Sequence, residues 1–331
     1  MSVKTIIPLK SLPGRLLGAS FALAATLAGA QPAYPVKPVR LIVTSSPGGG
    51  TDTTARFIAP KLSELLGQPV VIDNRPGAST MIGMEAAARS APDGYTLVLE
   101  NSTMAILPTM KKNVRMDVLR GFAPVSLVAS NPQLLISHTA LPTQNLKQLM
   151  ALARSQPGKL DYASGGYGGN PHMCMELFLS MTRLKMVYVP YKSGNAGLTD
   201  VLAGQVPVMM ASILSALPQA RVGRLRAYGV TTAKRAAAAP EIPTIAEAGV
   251  PGYEATQWFG ILVPAGTPPD IVTRLHAELV RALKDPDVKK RFTSDGSDAV
   301  WSSSPEQFAA YIRADEAKWA KVAKAAGLQP Q

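Results

Sequence analysis

Short β-branched runs alternate with segments of helical periodicity along most of the chain. In the first part, such runs predict strands at 39–44, 70–73 and 95–99. Between them, Ala55, Ile58, Leu62 and Leu65 recur at helical spacing, and residues 81–91 form a second helical pattern that ends at a Pro-Asp-Gly turn. Strands that alternate with helices in this way predict a parallel α/β sheet.

A second alternating series follows and predicts another α/β unit of comparable size. It contains predicted helices at 144–155, 173–182 and 196–203 and predicted strands at 160–163, 186–189, 206–210 and 225–231. A strand at 259–263, an amphipathic helix beginning near Ile271 and a final helix at 308–325 complete the pattern. The fold class is therefore α/β, with two lobes.

Two segments are candidates for crossings between the lobes. Residues 125–137 are apolar and β-rich, and the region of Trp258 precedes the strand at 259–263. We expect lobe 1 to contain residues 31–138 and 258–331, and lobe 2 to contain residues 139–257. Two crossings form a hinge, and ligands bind in the clefts between such lobes.

The first thirty residues have the pattern of a secretory signal. Lys4, Lys10 and Arg15 precede an apolar run at 16–27, and small residues at 28 and 30 predict cleavage after Ala30. The run is shorter than the roughly 20 residues of a membrane span. We therefore expect residues 1–30 to be a signal peptide and the mature protein to be periplasmic, a retained anchor being the alternative.

Composition narrows the classes of partner. The formal charge is +12, and the predicted signal contributes three of its cations. Lys and Arg are scattered without a nucleic-acid-binding motif, so we expect no nucleic-acid partner, and a monomer with a basic surface that attracts anions. Cys174 is the one cysteine, which excludes an internal disulfide and predicts a small buried residue more readily than a reactive thiol.

Two glycine-rich segments join a predicted strand to a predicted helix. The first glycine loop (residues 45–52) contains Ser46, Pro47, Gly48, Gly49, Gly50, Thr51 and Asp52, and the second glycine loop (residues 164–172) contains Ser164, Gly165, Gly166, Gly168, Gly169 and His172. Glycines let amide N–H groups approach a ligand, and a helix N-terminus favours an anion. Together the loops predict a site for a carboxylate, although a structural turn explains either loop alone.

Neither loop fits the fingerprint of a dinucleotide site or a nucleotide P-loop, so we expect no cofactor. Asp52 has two open interpretations, as an N-cap of the helix or as a partner for an amine, hydroxyl or water in the ligand site. His172 either contacts the ligand or supports the loop.

Metal-ligand and serine-nucleophile patterns are absent from the sequence, and paired carboxylates leave an enzyme as an open alternative. His138, His172 and His276 have no metal-ligand spacing, and no G-x-S-x-G elbow is present. We expect a binding protein without metal or catalytic residues, a periplasmic enzyme being the less favoured alternative.

A series of short motifs runs in order along nearly the whole mature chain. The motifs include Y-P-V-K-P-V-R from Tyr34, P-G-G-G-T-D from Pro47, N-R-P-G-A from Asn74, A-P-D-G-Y-T-L from Ala91, V-P-Y-K from Val189, T-D-V-L-A-G-Q from Thr199, P-T-I-A-E-A-G from Pro243 and W-F-G from Trp258. Each motif is weak alone, but their order and spacing are specific, and together they resemble those of Bug-type receptors of tripartite tricarboxylate transporters.

The resemblance implies a type II-like periplasmic-binding-protein fold, with a mainly parallel sheet in each lobe and two hinge crossings. It implies that the lobes close on a small carboxylic acid and that the loaded receptor docks on a permease with a large and a small subunit. A partnership with a sensor kinase is the alternative. By position it adds Asn101, Ser102, Asp200 and Ser212 to the expected ligand-binding residues, while Asp200 equally suits a solvent-facing or capping position.

Three departures from the family pattern lie where side chains would select the ligand. Ser45 and Ser46 replace an aromatic or proline residue, Gly169 replaces a serine, and Ala211-Ser212 replace an acidic-polar pair. Their small size predicts a roomier pocket that suits a larger or aromatic acid.

Overall fold

The computed structural model describes residues 1–3, 5, 34–78, 80–110 and 118–330. The charged residues and apolar run of the predicted signal peptide, and its cleavage site at Ala30, lie outside these residues. Within the described part of the chain, no helix is long and apolar enough to cross a membrane.

A six-stranded sheet, here the first sheet, is formed mainly by the early part of the chain and completed by its last part. Its order is β11-β4-β10-β3-β1-β2, with β1 parallel to β2 and β3, and β10 antiparallel to β3 and β4. The early elements are β1 (Val39–Val43), α1 (Gly50–Leu66), β2 (Val70–Asn74), α2 (Met81–Ala88), β3 (Thr96–Asn101), α3 (Thr103–Met110), α4 (Val118–Gly121) and β4 (Phe122–Asn131).

The second sheet has five strands in the order β7-β6-β8-β5-β9, with β6 parallel to β7 and β8. Its elements are β5 (Gln133–His138), α5 (Leu146–Ser155), β6 (Asp161–Gly165), α6 (Asn170–Thr182), β7 (Val187–Tyr191), α7 (Gly194–Leu202), β8 (Val208–Ser212), α8 (Ile213–Arg221), β9 (Leu225–Val230) and α9 (Ile245–Ala248).

The chain then returns to the first sheet. The last elements are β10 (Gln257–Pro264), α10 (Pro269–Lys284), α11 (Pro286–Ser294), β11 (Asp298–Ala299) and α12 (Pro305–Ala325). The predicted α/β class is confirmed, and each strand predicted from the sequence is present with its ends within two residues of the prediction.

The two sheets are joined at two neighbouring crossings. Pro132 alone separates β4 of the first sheet from β5 of the second, and as a proline it has no N–H to continue a ladder. The return passes from residue 231 to Gln257, whose side-chain oxygen accepts a hydrogen bond from Nε2 of Gln133 at 3.4 Å. Pairing places β5 in the second sheet, whereas the sequence-based division assigned residues 133–138 to lobe 1.

Three apolar clusters fill the interior. One packs α1 and α10 against the first sheet, and another packs α7 and α8 against the second. The third contains side chains from both sheets and from α12, whose Trp319 is fully buried. Helix α12 contacts α3 and β4 on one side and α6 on the other, so this helix is shared by the two halves of the molecule.

Candidate functional site

The expected ligand-binding residues lie mainly at the carboxyl ends of the parallel strands. Ligands of open α/β sheets bind at this edge. One group precedes or begins α1 and contains Ser46, Pro47, Gly48, Gly49, Gly50, Thr51 and Asp52, and a second group at the end of β3 contains Asn101 and Ser102. A third group runs from β6 into α6 and contains Ser164, Gly165, Gly166, Gly168, Gly169 and His172. Ser212 ends β8, and Asp200 lies within α7.

The first glycine loop makes a tight turn into α1. Gly48 has a φ of +80°, in the left-handed region that favours glycine, and a Cβ at this position would meet no atom within 4 Å. The N–H of Gly49 donates to the carbonyl of Ser46 at 3.0 Å, and Gly49 is the N-cap of the helix.

The carboxylate of Asp52 stabilises this turn by accepting hydrogen bonds. Its Oδ2 accepts hydrogen bonds from the Gly48 N–H at 2.9 Å and from Nε of Arg56 at 2.8 Å, while Oδ1 accepts from Nδ2 of Asn74 at 2.9 Å. Burial raises the pKa of Asp52, but these hydrogen bonds and the Arg56 charge together lower it below its usual value. The interpretation of Asp52 as the N-cap is wrong, because Gly49 occupies that position and the carboxylate reaches back to the loop.

The second glycine loop repeats the geometry of the first. Gly168 has a φ of +70°, and Gly169 is the N-cap of α6, with its N–H donating to the carbonyl of Gly166 at 3.2 Å. Gly165, before the turn, packs against the N-terminus of α7. A Cβ on Gly165 would lie 2.5 Å from the backbone nitrogen of Gly194, so this close approach requires glycine.

His172 supports the second turn. Its Nδ1 accepts a hydrogen bond from the Gly168 N–H at 3.0 Å, and the ring packs against Tyr188 with centroids 4.3 Å apart. Burial lowers the pKa of His172 to about 4, so the imidazole is neutral at physiological pH and can act as this acceptor. The interpretation of His172 as a support for the loop describes the observed contacts.

Helices α1 and α6 begin without a side-chain cap. Gly49 and Gly169 cannot supply one; α2, α8 and α10 also begin without a side-chain cap, whereas α5, α7, α9, α11 and α12 each begin at a side chain that accepts a backbone N–H. The first N–H groups of a helix have no partner within it. At these two starts they remain available to an anion, which the helix dipole also favours.

Contacts at the ends of β3 and α6 join the two halves. Nδ2 of Asn101 donates to the Thr51 hydroxyl at 3.2 Å, which ties β3 to the first turn of α1. Nδ2 of Asn170 donates to the Ser102 hydroxyl at 3.2 Å, across the cleft, and both side chains are buried. The glycine loops are therefore held close to one another in this structure.

Other expected residues differ in their distance from the loops. Ser164 is buried at the end of β6, and its hydroxyl has no partner among the described residues. Ser212 lies at the end of β8, beside Gln133 in the ladder. Asp200 accepts a hydrogen bond from the Tyr191 hydroxyl at 2.7 Å and lies six residues after Gly194, the first residue of α7, which is about 9 Å along the helix axis.

Several residues at this edge were missed from the sequence. Asn170 directly follows Gly168 and Gly169, and this position was the only feature of the sequence that could have identified it as a site residue. Glu100 and Gln133 are polar residues within otherwise apolar strands. The sequence pattern shows that they interrupt a buried run, but it does not indicate a role at the site. Among the described residues, no group of three or more His, Cys, Asp or Glu could hold a metal ion.

Two sheets joined by paired crossings, with glycine loops meeting at their carboxyl edges, define the periplasmic-binding-protein fold. Residues 54–328 match the tripartite tricarboxylate transporter family receptor. The chain belongs to this family of solute-binding receptors.

Individual relatives support this membership. Protein BugT of Bordetella pertussis is 34% identical over 298 residues, which are 89% of this chain and 91% of BugT. Among solved structures, "R. palustris Rpa4515 with adipate" is 35% identical with a TM-score of 0.75, covering 90% of this chain and 100% of that one. "MatC (Rpa3494) from Rhodopseudomonas palustris with bound malate" is 30% identical with a TM-score of 0.69, covering 87% and 99%.

Proposed function

We propose that this protein is a periplasmic receptor that captures a small carboxylic acid between the two glycine loops and delivers it to a membrane permease. The observation that carries the proposal is the pair of uncapped helix starts at Gly49 and Gly169, which offer amide N–H groups from opposite sides of the cleft. The acids named with Rpa4515 and MatC have the chemistry that such donors recognise.

Asp52 and His172 act in this proposal as supports rather than ligand contacts, because each directs its acceptor to a loop amide. Sheet pairing favours lobes that divide at Pro132 and again just before Gln257. Delivery to a permease with a large and a small subunit follows from the family, and a periplasmic location follows from the signal pattern in the sequence.

The test is a thermal-shift and calorimetric screen of residues 31–331 against mono-, di- and tricarboxylates, acidic amino acids and aromatic acids. A ligand of the folded state at a hundredfold excess over its Kd stabilises that state by about 2.7 kcal/mol. We expect a clear rise in Tm with at least one acid, observed after bound ligand has been removed by unfolding and refolding.

The Gly49→Val variant tests the loop directly. A Cβ on Gly49 would lie 3.0 Å from Oγ of Ser45 and 3.1 Å from the carbonyl of Ser46, so we expect the turn to shift and binding to be lost. Gly121→Val is the matched control, because a Cβ there meets no atom within 4 Å. A screen in which no acid changes the Tm would refute the proposal.

A further inference from the structure

The motif N-R-P-G-A, residues 74–78, begins at the carboxyl end of β2, beside the first glycine loop. In the pairing of β1 with β2, Asn74 lies opposite Val43, and the N–H of Arg75 donates to the Val43 carbonyl at 2.8 Å. Val43 is the last residue of β1, and the first glycine loop begins two residues later, at Ser45. The motif is therefore attached to the strand end from which the loop leaves the sheet.

The side chain of Asn74 contacts the first and the last residue of this loop. Its Nδ2 donates to the carbonyl of Ser45 at 3.0 Å and to Oδ1 of Asp52 at 2.9 Å. Both partners only accept hydrogen bonds, so the amide nitrogen and not the amide oxygen must face them. An amide nitrogen has two N–H groups, whereas a hydroxyl has one and a carboxylate has none. Asn74 can therefore hold both ends of the loop at once.

Asp52 connects Asn74 to the turn itself. Its other oxygen, Oδ2, accepts from the Gly48 N–H at 2.9 Å. The carboxylate is 1% exposed and is held from two sides, by Asn74 at the end of β2 and by Arg56 within α1. When Asn74 is removed, we expect the carboxylate to turn toward Arg56, because water has little access to replace the lost donor. The Gly48 turn then moves with it.

We propose that Asn74 is a positioning residue for ligand binding, which fixes the first glycine loop so that the amide N–H groups at the start of α1 point at the carboxylate of the bound acid. Asn74 acts through Ser45 and Asp52 and not through contact with the ligand. This inference rests on the proposed receptor function and adds to it a residue outside both loops.

The first test compares two side chains that join the same elements at opposite ends of β2. Ser63 also ties α1 to β2: its hydroxyl donates to the Ala59 carbonyl at 2.7 Å and accepts from the Val70 N–H at 2.9 Å. Asn74→Ala and Ser63→Ala each remove two hydrogen bonds, so each should lower the Tm. Only Asn74→Ala should weaken acid binding, by about tenfold, since its lost hydrogen bonds include one to a charged group that holds the loop.

Calorimetry of residues 31–331 measures the Kd of each protein. The probes are adipate and malate and, where neither binds the wild type, the acid that raises the wild-type Tm most in the thermal-shift screen. Each variant is compared with the wild type for the same acid and at the same pH, so that the titration of the acid itself cancels.

The second test uses a variant whose charge changes with pH. Asn74→Asp places a second carboxyl group against Oδ1 of Asp52, and two carboxyl groups this close share one proton, so the pKa of one is raised. The shared proton supplies a hydrogen bond at low pH, whereas the two charges repel at high pH. Arg56, which faces Asp52 from α1, stays charged throughout.

We therefore expect Asn74→Asp to bind about threefold more weakly than wild type at pH 5 and about thirtyfold more weakly at pH 8. The loss in Asn74→Ala should be the same at both pH values. A merely structural role would lower the Tm of Asn74→Asp without giving its affinity this dependence on pH. Should Asn74→Ala not fold, the pH dependence of Asn74→Asp decides the test.

Wild-type affinity in Asn74→Ala, or an equal loss of affinity in Ser63→Ala, would overturn the positioning role and leave the receptor function standing. A loss in Asn74→Asp that does not change with pH would also overturn it. Failure of every acid to bind the wild type would overturn the receptor function, and the positioning role with it.

Discussion

The two glycine loops have nearly the same backbone and different supports. The N-caps Gly49 and Gly169 have φ, ψ values of −74°, 162° and −70°, 164°, and each follows a glycine with positive φ. In both loops, the N–H of that positive-φ glycine donates to a side chain four residues later. The turn thus needs an acceptor at a fixed position, and two different side chains satisfy it.

The chemistry of the two supports sets how each loop responds to its surroundings. Asp52 is a charged acceptor that also holds Arg56 and Asn74, whereas His172 is a neutral acceptor packed among the rings of Tyr162, Tyr167 and Tyr188. A buried carboxylate depends on its donors, and a buried imidazole depends on remaining neutral. The same turn is therefore sensitive to different changes in the two lobes.

The largest effect is expected when the charged support is removed. Asp52→Ala leaves the Gly48 N–H, the Arg56 guanidinium and the Asn74 amide without their acceptor. We expect a loss of about 3 kcal/mol in the free energy of unfolding, measured by chemical denaturation, together with loss of acid binding. Asp52→Asn keeps one acceptor oxygen and should lose less; equal losses for the two variants would contradict this account.

As the pH is lowered, the stabilising contribution of His172 in the second loop should be lost before that of Asp52 in the first loop. The pKa of His172 is about 4 in the folded protein, below the unfolded value of about 6.5, so between these pH values the unfolded state binds the extra proton. Its contribution to stability therefore falls as pH falls, by about 2 kcal/mol at pH 4.5. The pKa of Asp52 is lowered from its ordinary value of 3.8, so its contribution is lost only at lower pH.

The measurement is the free energy of unfolding between pH 7 and 4.5 for wild type and His172→Gln, which cannot take up a proton at this position. The difference between the two proteins should shrink by about 2 kcal/mol over this range. Comparing them removes the effect of groups distant from His172, whereas Glu176, whose pKa is raised by burial and whose Oε1 lies 3.7 Å from Nε2 of His172, is coupled to it. A difference that does not depend on pH would show that the pKa of His172 is the same in the folded and unfolded states.

Alanine at the two positive-φ glycines should distinguish the loops by their surroundings. Both substitutions add about 1 kcal/mol of backbone strain. A Cβ on Gly168 would also lie 2.9 Å from Cε of Met110 in α3, whereas one on Gly48 has open space. We expect Gly168→Ala to lower the Tm more than Gly48→Ala does. Equal losses of Tm would indicate that Met110 moves aside without cost, and the reverse order would contradict this account.

The smallest effect is expected at the hydrogen bond between the lobes. Ser102→Ala removes the acceptor of Asn170 and should weaken the closed form by about 1 kcal/mol, which lowers apparent acid affinity about fivefold. Calorimetry measures this loss, and small-angle scattering should show a larger average radius without ligand. Ser155→Ala on the exposed face of α5 is the control.

The sequence predicts the helices that bury one face and the strands that are bounded by turns. In α10, Leu275, Leu279 and Leu283 recur at helical spacing and are fully buried, because one face packs on the first sheet. Helix α3 escaped prediction because it is apolar on most sides and contains Pro108, so no periodicity marks it. Its burial between the first sheet and α12 depends on the tertiary structure.

The candidate site is predicted to the extent that it is local. Runs of glycine between a strand pattern and a helix pattern are sufficient to identify both loops. The partners of Asp52 were not predictable, since Asn74 lies 22 residues away and reaches the carboxylate only because β2 pairs with β1. The contact of Asn170 with Ser102 depends on how the lobes meet, which no spacing in the sequence encodes.

Because α12 contacts both halves of the molecule, its Trp319 is a natural fluorescent probe of their separation. Trp319 on this helix lies in an apolar cluster with side chains from α3 and α6, so separation of the halves would bring water to a buried indole. Fluorescence emission should then shift to longer wavelength on opening and return on ligand capture. A shift in emission on acid binding would therefore report movement of the halves without an attached dye.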